Sequence, residues 1–294
     1  GSAGRVRADD VRRFASGETA PAAAPAAEGD AAGAPAEMPG GASPIPFFEL
    51  EQMPDFEALG PVEREPIRSI RRKVAKKMVT SMVAVPHVAH MDDADVTELE
   101  EFRRRERSRR EGEPGGRLTL LPFVIKAVTR CLAEFPSFNA SLDPFRNEIV
   151  YKKYYNVGFA ADTDRGLLVP VVHGTADKSI LEISAEIERL AGKARDGSIS
   201  VPEMQGGNFT ITNVGPLGGT RLIPTINYPE VAILGMGRAA KQPVVTDDDG
   251  IDIRVILPLT LTFDHRIADG AEAARFMNRL IQLLSDPLVW LLEG

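Results

Sequence analysis

The 294-residue sequence predicts an α/β domain in which a mixed sheet is covered by helices. Three observations lead there. Segments with apolar residues every three or four positions alternate along the chain with short apolar, β-branched runs. The last of those runs, 253–263, sets Leu257, Leu259, Leu261 and Phe263 on one sheet face and Pro258, Thr260 and Thr262 on the other, one face apolar and one mildly polar. The composition, 43% apolar and 26% charged, is that of a globular protein long enough to bury a sizeable core.

Each element follows in order. Residues 1–17 hold a short helical pattern on Val11 and Phe14, with Asp9 or Asp10 as N-cap and Gly17 as terminator, too short to fold alone. Residues 18–46 contain 11 Ala, 6 Pro and 4 Gly and hardly a large apolar side chain, so they read as an extended flexible linker. The main domain is expected over 47–294. Its first helix is marked by Ile67, Ile70, Val74, Met78 and Met82. A second starts after Asp95 on Val96, Leu99 and Phe102 and becomes almost wholly charged through Arg110. The segment 118–135 is apolar on most sides, with Thr119 at the N-cap and Pro122 in the first turn, which predicts a buried helix. A fourth helix spans about 179–195 and ends near Gly197, and the last covers about 270–284. Strands are predicted at 149–161, 166–172, 208–214, 230–237 and 253–263, and no internal repeat is present.

Composition also excludes function classes. The net charge of −7 argues against a generally basic nucleic-acid surface. No run reaches the roughly 18 consecutive apolar residues of a membrane span. The single cysteine, Cys131, forbids an intrachain disulfide and any Cys-cluster metal site and fits a reducing compartment. The start of the chain carries no signal-peptide pattern.

Four histidines are few enough to weigh singly. His87, His90 and His173 lack a second ligand at a metal-like spacing and read as hydrogen-bonded structural residues. His265 differs in context. It stands at the C-terminal end of the last strand, inside Asp264-His265-Arg266-Ile267-Ala268-Asp269-Gly270, where the sheet holds a side chain and a cleft can receive it. The alternative is a structural turn, with Asp269 as N-cap and Glu272 completing a capping box. Spacing alone leaves both open. The other dense signal is the stretch 206–219, in which a strand carrying Thr210 and Thr212 on one face runs into a glycine-rich loop. It has neither the spacing of a phosphate loop nor that of a dinucleotide fingerprint.

The segments FDHRIADG and NFTITNVGPLGGTRLIPTINYPEVAILGMGR closely resemble the catalytic domain of the dihydrolipoamide acyltransferases, the E2 cores of 2-oxo acid dehydrogenase complexes. PHVAHMDDADVTELE, LPFVIKAV, FPSFNASLD, YYNVGFAADTDRGLLVPVV and LLSDP are similar to family segments in family order. The resemblance implies a chloramphenicol-acetyltransferase-like two-layer fold with its active site at a trimer interface. It implies acyl transfer from S-acyl-dihydrolipoamide to coenzyme A, with His265 as general base and the Thr212 hydroxyl, a serine in many relatives, as oxyanion donor from the neighbouring chain. Asp269 would orient the site. Coenzyme A contacts would fall on Arg103, Thr119, Asp162, Thr212, Asn213, Gly237 and Ala239. The implied partners are two further copies of the chain, a larger cubic or icosahedral core built through the C-terminal tail 288–292, lipoyl domains carrying the lipoyl group, and the E1 decarboxylase and E3 dihydrolipoamide dehydrogenase, bound through the subunit-binding domain whose end residues 1–17 resemble. Residues 89–219 look most like acetyl-transferring pyruvate dehydrogenase E2 sequences; branched-chain or succinyl transfer, or a non-catalytic scaffold of the same fold, are the alternatives. The expected location is the bacterial cytoplasm, or the mitochondrial matrix in a eukaryote.

Overall fold

The computed structural model describes residues 52–113, 117–164, 166–286 and 289. The expected helical fragment 1–17, the linker 18–46 and most of the tail 288–292 lie outside the described residues. The chain divides into two compact units, 1–64 and 65–294. In the first, a 3-10 turn, Phe56–Ala58, is capped by Asp55, whose carboxylate accepts the Glu57 N–H at 3.1 Å.

The second unit contains helices α1 (Ser69–Ala84), α2 (Thr97–Arg109), α3 (Leu120–Glu134), α4 (Ile180–Asp196) and α5 (Gly270–Ser285). Its strands are β1 (His87–Asp95), β2 (Ala140–Asp143), β3 (Glu148–Tyr151), β4 (Val157–Phe159), β5 (Val171–Val172), β6 (Phe209–Asn213), β7 (Ala232–Met236), β8 (Ala240–Val245) and β9 (Ile251–Asp264). Seven strands form one mixed sheet in the order β1-β9-β7-β6-β4-β5, with β8 also on β9; β2 and β3 form a separate ribbon. The β7–β6 and β6–β4 pairs are parallel and the others antiparallel. The α/β fold with a mixed sheet is therefore as the sequence predicts.

The apolar alternation of β9 is what builds the core. Leu257, Leu259, Leu261 and Phe263 pack with Phe138 and with buried residues of α3 and α5 in a single cluster. The opposite face differs from expectation, because Thr260 and Thr262 are also buried. Local signals set several helix ends. Ser179 and Glu182 form a reciprocal capping box at α4, and Gly197 ends that helix in the left-handed region at φ 72°.

Two strand predictions are corrected. The run 149–161 is two strands in two sheets, β3 and β4, because Asn139 accepts the Lys152 N–H and Asn208 accepts the Asn156 N–H, which turns the chain between them. The run 166–172 reduces to β5 and an isolated bridge from Ala161 to Leu168, since β4 offers β5 only a two-pair register. Helix α1 is present, yet its apolar stripe is exposed: Ile70, Val74 and Met82 face solvent in the single chain, and Ser81 is its one buried residue. Val289, the described residue of the C-terminal tail, is half-buried against the core. Among the described residues no helix is long and apolar enough to cross a membrane.

Candidate active site

β9 ends at Asp264, and residues 265–267 turn the chain toward α5. Both neighbouring strands grip that end: the Asp264 N–H donates to the Val231 carbonyl at 2.8 Å and the His265 N–H donates to the Pro86 carbonyl at 3.1 Å. The Asp264 side chain is buried and accepts from the Arg266 guanidinium at 2.6 and 2.9 Å and from the Arg266 backbone N–H at 3.0 Å. A buried carboxylate so compensated is tolerated, and the paired guanidinium closes the turn. Underneath, Phe263 meets Phe138 edge-on at 6.1 Å and Phe138 meets Phe276 of α5 at 4.7 Å. His265 is exposed, with its ring over Phe263 at 5.8 Å, and among the described residues neither ring nitrogen makes a hydrogen bond. An imidazole on so fixed a backbone, with both nitrogens open, can take a proton from a group brought to it.

Asp269 is the N-cap of α5, its carboxylate accepting the Glu272 N–H at 2.8 Å. The capping box is only half built, because the Glu272 carboxylate instead accepts from the Ser137 hydroxyl at 2.5 Å. Asp269→Ala is expected to lower unfolding stability by about 1 kcal/mol, and Asp269→Asn to restore it, in urea melts of the same assembly.

Thr212 sits on β6 opposite Gly235 of β7, and Gly235 sits opposite Thr260 of β9. His265 lies five residues beyond Thr260 and two strands away from β6, which puts the two Cα atoms roughly 19 Å apart at ordinary strand spacing. Their side chains within one chain cannot flank a single carbonyl carbon. The glycine-rich loop after β6 folds back on the strand that follows: the Arg238 N–H donates to the Gly219 carbonyl at 3.2 Å, and a Cβ on Gly237 would overlap the Thr220 carbonyl. Gly218 and Gly219 hold φ values of 111° and 98°, which side-chain-bearing residues avoid.

At that end of the sheet lies a pocket of about 360 Å³ whose lining includes Arg103, Thr119, Asn213, Gly237 and Ala239. Five of the predicted contact positions thus come together from α2, the start of α3, β6 and the β7–β8 turn. Thr212 and Asp162 are not among the lining residues; Asp162 is exposed beyond β4, whose partner pairing with β6 ends at Phe159 and Ile211. Arg103 lines the pocket with its charge already committed. Its guanidinium donates to both Glu100 oxygens at 2.7 Å and to the Leu118 carbonyl at 2.7 Å. The Arg103 side chain holds the Glu100 carboxyl below its usual range, against the opposing cost of burial. Thr119 stands at the N-cap position of α3 without a side-chain capping bond.

Among the described residues the cations free to meet an anion are ones the sequence reading did not single out: Arg107, Arg238 and Lys241 also line this pocket, whereas Arg104 on the same wall donates to Glu100 Oε1 at 2.7 Å. A signal existed, since Glu100, Arg103, Arg104 and Arg107 fall at i, i+3, i+4 and i+7, one face of α2. It was hidden by the arginines on every other face. Cys131 is buried in α3, and burial pushes its thiol far above the ordinary range, so it is no nucleophile. His87 is structural: Nδ1 is 2.7 Å from the Val85 carbonyl and Nε2 accepts the Ile226 N–H at 3.1 Å. Among the described residues no group of His, Cys, Asp and Glu has the arrangement of a metal site.

A family model described as 2-oxoacid dehydrogenases acyltransferase (catalytic domain) matches residues 60–292. The whole chain is 42% identical to a Staphylococcus aureus protein named the dihydrolipoyllysine-residue acetyltransferase component of pyruvate dehydrogenase complex, and spans 66% of that relative's length. Among solved structures it is similar to Azotobacter vinelandii dihydrolipoamide acetyltransferase, with a TM-score of 0.79 and 41% identity over 83% of this chain and 100% of that one. That structure was used to investigate a serine, a histidine and an asparagine in the catalytic mechanism. A second, the cubic core of the pyruvate dehydrogenase multienzyme complex, aligns with a TM-score of 0.78 and 41% identity over 83% of this chain and 100% of that one.

Proposed function

The chain belongs to the acyltransferase catalytic-domain family of the 2-oxoacid dehydrogenases, and from that premise we propose that it moves an acetyl group from S-acetyl-dihydrolipoamide to coenzyme A within the core of a pyruvate dehydrogenase type complex. The observation that carries the reading is a division of labour along one sheet. An open imidazole is presented at one end of β9, and a cation-rich pocket holding Arg103, Thr119, Asn213, Gly237 and Ala239 lies at the opposite end of the same strands. The pocket suits a phosphate-bearing thiol. The gap of roughly 19 Å between Thr212 and His265 in one chain supports a site completed by a neighbouring copy, since standard strand spacing leaves no other way to bring them together.

A thiol near pKa 8.5 is mostly protonated at neutral pH, whereas an imidazole near 6.5 is mostly unprotonated. His265 takes the proton of the coenzyme A thiol as its sulfur attacks the thioester carbonyl carbon. The carbonyl oxygen becomes an oxyanion and accepts a hydrogen bond from the Thr212 hydroxyl of the neighbouring chain. Collapse breaks the bond to the dihydrolipoamide sulfur, which recovers the proton from the imidazolium. Acetyl-CoA and dihydrolipoamide leave, and no acyl-enzyme forms. Asp269, by capping α5, holds the turn that carries His265. The Azotobacter relative's histidine and asparagine are four residues apart, as His265 and Asp269 are here.

On this reading the lipoyl group is a substrate delivered by a lipoyl domain, coenzyme A is the second substrate, and the chain acts as a homotrimer within a larger core. Residues 1–17 would engage the E1 decarboxylase and the E3 dihydrolipoamide dehydrogenase, in the bacterial cytoplasm or the mitochondrial matrix. The direct test follows acetyl exchange between acetyl-CoA and free dihydrolipoamide by thioester absorbance, alongside isobutyryl-CoA and succinyl-CoA. Acetyl is expected to turn over fastest; preference for another acyl group would reassign the substrate, and no exchange with any of the three would overturn the enzyme reading. In the same assay Arg107→Ala with Lys241→Ala is expected to raise KM for coenzyme A about tenfold with kcat unchanged, as the loss of two exposed phosphate contacts of up to about 1 kcal/mol each implies.

A further inference from the structure

Glu230 lies just before β7 and is buried, with 4% of its surface exposed. Its Oε1 accepts from the Asn227 amide at 2.7 Å, while Oε2 has no hydrogen-bond partner among the described residues. Burial pushes this carboxyl up to about 7, with the Thr210 hydroxyl and the Asn227 amide pulling the other way, and Lys152 and Lys77 adding smaller pulls in the same direction. A buried acid of this kind is weak evidence for stability, because a well-packed apolar side chain does as well or better. Its place in the hydrogen-bond pattern indicates another use.

The same Asn227 amide nitrogen donates to the Thr210 hydroxyl at 3.1 Å. Thr210 is two residues before Thr212 on β6, so both project from one sheet face. That face is covered by residues 222–230: Leu222 and Pro224 stand 3.0 and 3.3 Å from where a Cβ on Gly235, the cross-strand partner of Thr212, would lie. Ile226 is held on its far side by His87 Nε2 and by the Ser81 hydroxyl, which donates to its carbonyl at 2.6 Å. In the other direction Glu230 leads into Val231, whose carbonyl receives the Asp264 N–H immediately before His265. Among the described residues the other buried side-chain oxygen without a partner, Thr262 Oγ1, is on β9 of the same face, two residues before Asp264.

We propose that Glu230, acting through Asn227, is a positioning residue for acyl transfer, which ties the strand carrying Thr212 to the strand end carrying His265. The role rests on the acetyl-transfer reading above. Because Thr212 and His265 of one chain would belong to two different active sites, one Glu230 sets half of each.

The test compares the assembled wild-type protein with Glu230→Leu and Glu230→Gln in the acetyl exchange assay, with sedimentation confirming the same assembly. Leucine removes the acceptor, whereas glutamine keeps an oxygen for Asn227. Glu230→Leu is expected to lower kcat about tenfold with KM for coenzyme A within about twofold, the signature of lost alignment, and Glu230→Gln to return kcat most of the way. If Glu230→Leu does not assemble, Asn227→Ala takes its place with the same expected loss of kcat. Unchanged kcat in the assembled variant, a change in KM alone, or a Gln variant no better than Leu, with the unmodified protein active, overturns this role and leaves the enzyme reading standing. An unmodified protein inactive with every acyl group overturns both.

Discussion

Replacing His265 by alanine is expected to lower acetyl exchange by about three orders of magnitude with the assembly intact, the loss typical of removing a positioned general base. The structure gives reason to expect a clean result. The side chain is exposed and its ring touches Phe263, but the turn is held by other groups: the backbone bonds to Val231 and Pro86, and the Asp264–Arg266 pair. Truncation at Cβ removes the base and leaves those bonds in place. Sedimentation and the thermal midpoint of the variant should match the unmodified protein. Equal exchange rates in both would make His265 structural and return the motif to the turn reading.

Replacing Thr212 by valine is expected to lower kcat about 100- to 1000-fold with little change in KM, because an oxyanion donor acts only as charge develops. Valine matches the shape of threonine, so the packing of β6 between β4 and β7 is kept while the donor is lost. Thr212→Ser keeps the hydroxyl and should stay close to the unmodified rate. The two inactive proteins also test where the site lies. If His265 and Thr212 meet between chains, co-assembling His265→Ala with Thr212→Val puts an intact pair at about a quarter of the interfaces, and activity returns to that extent. A mixture as inactive as its components would place both residues in the site of a single chain, against the separation set by the sheet register.

How much of this was legible in the sequence depended on the range of the interactions involved. Helix α4 was readable to its ends because Ser179, Glu182 and Gly197 act on backbone groups within one turn of themselves. The last strand and the turn after it were readable for a similar reason, alternation being a local property of a strand. The apolar stripe of α1 was readable as a helix face, but the stripe could not say that nothing in the same chain covers it. Arg103 belongs to the contact set the resemblance implies, yet the carboxylate that neutralises it, Glu100, lies one turn away on the same helix face and also accepts from Arg104, while Arg107 stands open to the pocket.

The sequence by itself determined the α/β class, the helices, the family motif around His265, and five of the positions that meet in the cation-rich pocket, Arg103, Thr119, Asn213, Gly237 and Ala239. The class and the helices follow from periodicity and from side chains acting on nearby backbone, and the motif and pocket positions from the resemblance to the family. Only the tertiary structure decided that 149–161 belongs to two sheets, that Thr212 and His265 stand far apart on strands separated by β7, and that Glu230 is buried just before β7 with one oxygen unpartnered among the described residues. Strand order and burial are set by residues distant in sequence, whose pairing must first close long loops, and no local pattern carries that information.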